Sequence, residues 1–367
     1  SLSLIQDPMV ENLIFLGTEN GLWISLDNGI NWKKFRNGYP SVSTMDMVIQ
    51  ENESALIIGT FGRAIWILDD LLSLREIARG NIEKEINLFP VNDVVQVKGL
   101  FINPPGNIWT GFNTTFEGEN KIFQKAKIPF YLNTKIDSLD EVKASIFDSK
   151  GRKINELYST NLVEGLNYII WGLDETSESL IQERTEKKLR GIPVLPDIYK
   201  ILIEHNNKKD SIAIKIIEDP RFNISNEVDK EMYFFKKSSK KIVKQINAVF
   251  KKINNISDSL KVIQLTMDNK YIKNFIDLKT AFDQLKENGK ETPKNRQVGA
   301  WKSNLRTPYS MVSRIEKIGM AGVNKPSKQQ WERLNETKKV VDRYQKEVDS
   351  FIKKKWSIFL KKLNSNQ

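Results

Sequence analysis

Short runs rich in apolar, β-branched and aromatic residues, each bounded by Gly, Asn, Asp or Pro, recur through the first 70 positions. Runs of this length and composition between turn residues predict β-strands. We predict six strands, at residues 12–18, 21–26, 31–35, 45–50, 55–60 and 64–68. Strands this closely spaced predict an all-β meander.

The meander contains an internal repeat. The segment LIFLGTENGLWISLD, which begins at Leu13, is echoed about forty residues later by LIIGTFGRAIWILDD, which begins at Leu56. A repeat of this period with several strands per copy is typical of β-propeller blades. One and a half blades cannot bury both faces of their sheets, so we expect preceding blades, from the same protein or from a separate chain, to pack against them.

The first copy ends in the pattern Ser-x-Asp-x-Gly-x-x-Trp, formed by Ser25, Asp27, Gly29 and Trp32. An Asp at a hairpin tip accepts hydrogen bonds from turn amides, and a Gly there supplies a positive φ. The Trp is expected to fall back onto the sheet and fill the gap beside the next strand. The pattern predicts a structural turn and no catalytic role for Asp27.

These motifs resemble the closing blades of the BNR/Asp-box propellers, and more narrowly the bacterial sortilin-type family that is also labelled glycosyl hydrolase. The family usually has a glycine where this chain has Ala64. The resemblance implies a secreted or cell-surface protein that binds a protein, peptide or glycan. It rests on Asp7-Pro8, on residues 17–23, on the Asp-box and on residues 59–70, which include Gly62, Arg63 and Asp69.

Residues 125–221 return to strand-length alternation after a connector at 73–124. Six strands are predicted here, at 128–133, 141–148, 153–158, 166–173, 198–205 and 211–218. They favour a small β-sandwich that resembles the FlgD-like immunoglobulin domain of the same family. We expect Trp171 and Tyr199 to be anchors of its core.

The apolar spacing changes at residue 226 to steps of three and four, which predicts helices. We expect one helix from Asn226 to about Ile256 and a second at about 258–287. A third starts at Thr307-Pro308, and a last one, introduced by a capping box at 327–330, runs to about residue 363. The fold class is therefore multidomain β plus α. Its parts are incomplete propeller blades at 1–72, the connector, an Ig-like β-sandwich and an antiparallel helical bundle at 222–367.

The net charge of +11 lies wholly in the helical segment. Residues 222–367 contain 32 Lys and Arg against 15 Asp and Glu, whereas residues 1–221 contain 25 against 31. A basic helical module that binds an anionic polymer is therefore one alternative, but charge alone gives only non-specific affinity, so specific nucleic-acid binding is not expected. No apolar run is long enough for a membrane span, and zero cysteines exclude thiolate chemistry.

The sequence offers little for catalysis, and we expect neither a metal nor a cofactor. His205, the only histidine, lies in a predicted hairpin turn and is expected to be solvated. Asp69 and Asp70 are adjacent and would face opposite sides of a strand, while Glu117 and Glu119 are the other candidate pair. A glycoside hydrolase whose active site lies in blades absent from this chain is the remaining enzymatic alternative. The localisation implied by the resemblance is extracytoplasmic, although no signal segment is visible.

Overall fold

The computed structural model describes residues 1–36, 39–69, 71–96, 125–176, 191–219, 226–289, 307–321 and 325–364. They form a β plus α protein, as the sequence predicts. The chain divides into two compact units. In the residues described, the first unit carries the sheets and the short helix at 71–78, and the second carries the long helices.

Two antiparallel sheets form the start of the first unit. Sheet A contains β1 (Ser3–Gln6), β2 (Ile14–Thr18), β3 (Gly21–Ser25) and β4 (Lys33–Lys34). Sheet B contains β5 (Thr44–Gln50), β6 (Ala55–Thr60) and β7 (Ile65–Leu68). All six predicted strands are present, and β1 is an additional strand that pairs with β2 in full register.

One apolar core joins these two sheets to helix α1 (Leu71–Ala78). Phe15, Leu22 and Ile24 of sheet A pack in the same cluster as buried side chains of sheet B. Leu71 and Leu74 bring α1 into that cluster. The residues after β7 therefore form a packed helix that belongs to the sheets, where the sequence predicts the beginning of a connector.

A second pair of sheets encloses a separate core. The strands of this region are β8 (Ile86–Leu88), β9 (Val94–Gln96), β10 (Ala126–Leu132), β11 (Val142–Phe147), β12 (Lys153–Ser159), β13 (Gly165–Trp171), β14 (Asp174–Glu175), β15 (Ile192–Pro193), β16 (Ile198–His205) and β17 (Lys208–Glu218). Sheet C has the order β12-β11-β16-β17-β9 and sheet D the order β13-β10-β8, while β14 and β15 pair as a separate two-stranded sheet. Side chains from sheets C and D form one cluster. Each of the six strands predicted from the sequence is present.

Part of the expected connector is built into these sheets. β8 pairs antiparallel with β10, and β9 pairs parallel with β17. Ile86 and Leu88 of β8 are buried in the shared core. The predicted core anchors also meet there, since the rings of Trp171 and Tyr199 lie edge to face with centroids 5.3 Å apart.

The second unit contains helices α2 (Asn226–Thr266), α3 (Ile272–Gly289), α4 (Pro308–Ala321), α5 (Lys328–Phe351) and α6 (Ser357–Asn364). The predicted end of the first helix near Ile256 is wrong. Leu260 continues the buried stripe and no Gly or Pro interrupts it, so α2 runs ten residues further, to Thr266. Of the described helices, none is long and apolar enough to cross a bilayer.

Helices α3 and α4 run antiparallel to α2, in line with the predicted antiparallel bundle, but the two long helices, α2 and α5, run parallel. Along α2, Phe235 contacts Trp331 of α5, and Lys252 pairs further on with Asp349. Helices α3 and α4 each run back along about half of α2, so α5 starts again from the same end.

The two helix starts predicted from cap residues are confirmed. Ser327 and Gln330 form a reciprocal capping box at α5. The Thr307 Oγ1 accepts the backbone N–H of Ser310 at 3.2 Å, at the start of α4. The side chain of Asn226, the other expected cap, lies outside the described residues.

Candidate binding surface

The Asp-box forms a closed hydrogen-bonded turn after β3. Asp27 Oδ1 accepts the Asn31 backbone N–H at 2.8 Å and the Ser25 hydroxyl at 2.8 Å. Ser25 Oγ in turn accepts the Gly29 N–H at 2.8 Å, and Gly29 has a φ of +85°. Trp32 is half-buried over this glycine and donates Nε1–H to its carbonyl at 3.0 Å. The motif residues are fully engaged with one another, which suits a structural turn.

The hydrogen bonds of this turn predict how its stability depends on pH. The Asn31 backbone N–H, which is the largest influence, holds the pKa of Asp27 below its ordinary value. The contribution of the carboxylate is therefore present above the unfolded pKa of about 3.9 and is lost as pH falls through the folded pKa. We expect Asp27→Asn to be less stable than wild type in neutral buffer, and the difference to vanish in acid. Urea unfolding at each pH measures it, with exposed Glu11→Gln as the control that should follow wild type throughout.

The turn between β6 and β7 repeats one feature of the Asp-box. Trp66 donates Nε1–H to the Arg63 carbonyl at 3.0 Å, again to the residue three positions earlier. Gly62 and Ala64 have φ of +89° and +57°. The side chains of Arg63 and Asp69 are exposed, so this turn presents a cation at its tip. Asp70, Glu117 and Glu119 lie outside the described residues.

A buried ion pair, which sequence reasoning missed, holds sheets A and B to α1. Arg75 Nε lies 3.0 Å from Asp7 Oδ2, and Arg75 Nη1 donates to Ser54 Oγ at 3.0 Å. Asp7 also accepts the backbone N–H groups of Met9 and Val10 at 2.9 and 3.0 Å. In the sequence, the Asp7-Pro8 dipeptide of the family resemblance was the only feature that pointed to Asp7. Its partner, Arg75, lies 68 residues later in the chain.

The faces of sheets A and B that point away from their shared core are also apolar. Outer face A is a row in register across β1, β2 and β3, made of Leu4, Leu16 and Trp23. Outer face B is the equivalent surface on β5, β6 and β7, made of Val48, Ile57, Ile65 and Ile67. Ile65 and Ile67 are 69% and 58% exposed. Adjacent exposed apolar side chains on a sheet mark an interaction surface.

The internal repeat relates the two sheets in a directional way. Gly17-Thr18 in β2 corresponds to Gly59-Thr60 in β6, and Trp23 in β3 corresponds to Trp66 in β7. Trp23 lies on outer face A, whereas Trp66 packs against the shared core. The tryptophan of the first copy thus points away from the shared core, whereas the equivalent tryptophan of the second copy points toward it.

The same alignment holds for the aliphatic positions. Three residues buried on the inner face of sheet A correspond to three residues of outer face B: Phe15 to Ile57, Leu22 to Ile65 and Ile24 to Ile67. Conversely, Leu16 on outer face A corresponds to Ile58 in the core. Outer face B therefore has the residue pattern of the inner face of sheet A, which sheet B covers. Outer face A has the pattern of the inner face of sheet B, which sheet A covers.

The expectation that His205 is solvated is wrong. The hairpin is present, with Asn206 and Asn207 at φ of +46° and +66°, but His205 ends β16 and is buried. Its Nδ1 lies 3.3 Å from the Glu141 carbonyl. Within the described part of the chain, no group of three His, Cys, Asp or Glu residues is placed to hold a metal ion.

Comparisons with known proteins add no relative. No family model matches the chain, and no curated protein or solved structure matches it significantly. The two outer faces and their relation through the repeat are therefore the features of the chain that bear on its function.

Proposed function

We propose that this chain is a non-catalytic binding and support module whose sheets A and B continue into a larger stack of sheets of the same repeat. The observation that carries the proposal is the repeat equivalence of outer face B with the inner face of sheet A. The inner face of sheet A, which has the same residue pattern as outer face B, is covered by sheet B in this structure. A further sheet of the same kind is thus the occupant that suits each outer face.

The contact between A and B is heterologous, because it joins two different faces of one repeat unit. Heterologous contacts continue in one direction until they close into a ring or form an open array. A closed ring of such sheets is a β-propeller. The motifs of the chain fit this reading, since the Asp-box and residues 59–70 resemble sortilin-type blades.

The resemblance also guides the rest of the proposal. We assign the protein to an extracytoplasmic location, where the completed propeller engages a protein, peptide or glycan. Sheets C and D, as an Ig-like sandwich of the FlgD type, and the helical unit serve as support. Catalysis forms no part of this function, because the polar groups of the Asp-box satisfy one another within a turn.

Self-association of the full chain tests the proposal. Without other repeat units, outer face B of one molecule should bind outer face A of the next, and analytical ultracentrifugation should show oligomers that grow with concentration. Ile67→Asp blocks face B and Leu4→Asp blocks face A, so each variant alone should stay monomeric. An equal mixture should form dimers and nothing larger, because each partner retains the face that the other lacks.

The control is Ile170→Asp, which places the same charge on an exposed strand position of sheet D. It should associate like wild type. A mixture of the Ile67 and Leu4 variants that remains monomeric would contradict the proposal, as would a wild-type chain that stays monomeric at high concentration.

A further inference from the structure

One end of the helical unit combines exposed apolar side chains with a dense positive charge. We call this end the basic tip and define it as residues 261–277 and 357–364. Tyr271, in the turn between α2 and α3, donates its hydroxyl to the Lys362 carbonyl at 3.4 Å. The rings of Phe275 and Phe359 lie 6.2 Å apart. These contacts place the α2–α3 turn beside the end of α6.

Large apolar side chains project from the basic tip. Leu265 is 86% exposed in the last turn of α2. Four more aliphatic side chains of the tip are exposed: Val262, Ile272, Ile276 and Ile358. The residues that pack inward, such as Phe275 and Leu278, occupy other positions on the same helices. The exposed side chains are therefore surplus to the core of this unit.

The tip has an excess of positive charge. It contains Lys261, Lys270, Lys273, Lys361 and Lys362 against Asp268 and Asp277. Lys270 pairs with Asp268 at 3.4 Å, and Lys261 pairs with Asp258, just before the tip, at 2.7 Å. The positive charge of the tip therefore comes mainly from Lys273, Lys361 and Lys362. Three further exposed lysines, at 353–355, lie in the π-helical turn that precedes α6.

We infer that the basic tip docks on an anionic lipid surface. A polyanion in water would neutralise the lysines and leave the leucine and isoleucine side chains in solvent. A bilayer interface accepts both, because headgroup phosphates meet the lysines while apolar side chains enter the acyl boundary. Val262 lies five residues before Met267, where α2 gives way to the turn, which corresponds to about 7.5 Å along a helix. That length suits an insertion depth of about 5–10 Å.

Co-sedimentation of the full chain with vesicles tests this inference. We expect binding to vesicles that contain phosphatidylglycerol and none to vesicles of phosphatidylcholine alone. Replacing Leu265 and Ile276 together by Ser, which leaves the charge of the tip unchanged, should weaken binding at least ten-fold. Replacing Lys361 and Lys362 by Gln should weaken it by about five-fold per lysine, and high salt should act in the same direction.

Two control variants distinguish binding by the basic tip from non-specific hydrophobic and electrostatic binding elsewhere on the chain. Leu139→Ser removes a leucine that is 95% exposed in the first unit, and Lys328→Gln removes an exposed lysine at the start of α5. Both should bind like wild type. The inference fails if anionic vesicles do not bind the chain, or if the Leu265 and Ile276 variant binds them undiminished. Undiminished binding of that variant to both vesicles and heparin would assign the site to a soluble polyanion instead.

Discussion

Replacing Arg75 by Met is expected to lower the free energy of unfolding of the first unit by about 3–5 kcal/mol. Arg75 and Asp7 are both almost fully buried, with Arg75 Nη2 2.9 Å from Asp7 Oδ2. Removing the guanidinium leaves a buried carboxylate with no counter-charge, and Ser54 loses its partner. Hydrogen exchange of peptides from residues 1–36 and 71–96 would measure the loss, because the ion pair joins these two segments.

The control for this variant is Arg79→Met. Arg79 follows α1 and pairs with Glu76 at 2.6 Å, but its side chain is exposed, so its removal should cost about 1 kcal/mol or less. A double variant, Asp7→Asn with Arg75→Met, should be more stable than the sum of the two single changes predicts, since it removes both charges. A loss at Arg75 no larger than at Arg79 would show that the ion pair does not hold the sheets to α1.

Replacing Gly17 by Ala is expected to lower the stability of sheets A and B by about 2–3 kcal/mol, at the upper end for an overpacked core. The added Cβ would lie 2.2 Å from Ser3 Oγ and 2.7 Å from the backbone oxygen of Thr44. The serine can rotate away, but the Thr44 carbonyl belongs to β5 and cannot move without disturbing the sheet. Urea unfolding of the variant would measure this cost.

Gly59 is the matched control, because it is the equivalent of Gly17 in the second copy of the repeat. A Cβ at Gly59 would meet its nearest atom, the Asp46 carbonyl oxygen, at 3.7 Å, which is ordinary contact. We expect Gly59→Ala to change stability by less than about 1 kcal/mol. Equal effects at the two glycines would contradict the close approach of Gly17 in β2 to the Thr44 carbonyl in β5.

Local pattern was sufficient to predict most of the secondary structure. The short apolar runs around Phe15 and Ile57, bounded by turn residues, predicted β2 and β6. The four residues of β1 were too few to give such a signal. Helix α1 was missed because it is only eight residues long, and its cluster of leucines at 71, 72 and 74 is too short to show helical spacing.

Packing between distant segments could not be predicted in the same way. Phe15 and Ile57 are both apolar strand residues of one repeat, yet the first is buried and the second lies on outer face B. Which of two equivalent positions is covered depends on the neighbouring sheet and not on residue type. His205 shows the same limit, since its turn was predicted correctly but its burial depends on Glu141, 64 residues earlier.

The parallel arrangement of α2 and α5 has a consequence for how the helical unit folds. Contacts between these helices join residues nearly a hundred positions apart, as in the pairing of Gln245 with Asp342 and Gln345. Closing so long a loop is slow compared with forming the α2–α3 hairpin, whose helices are adjacent in sequence. During synthesis, the apolar residues of α2 that face α5 therefore stay exposed to solvent until α5 has left the ribosome. Mutations that weaken α5 should for that reason reduce yield through aggregation of the nascent chain before they alter the mature protein.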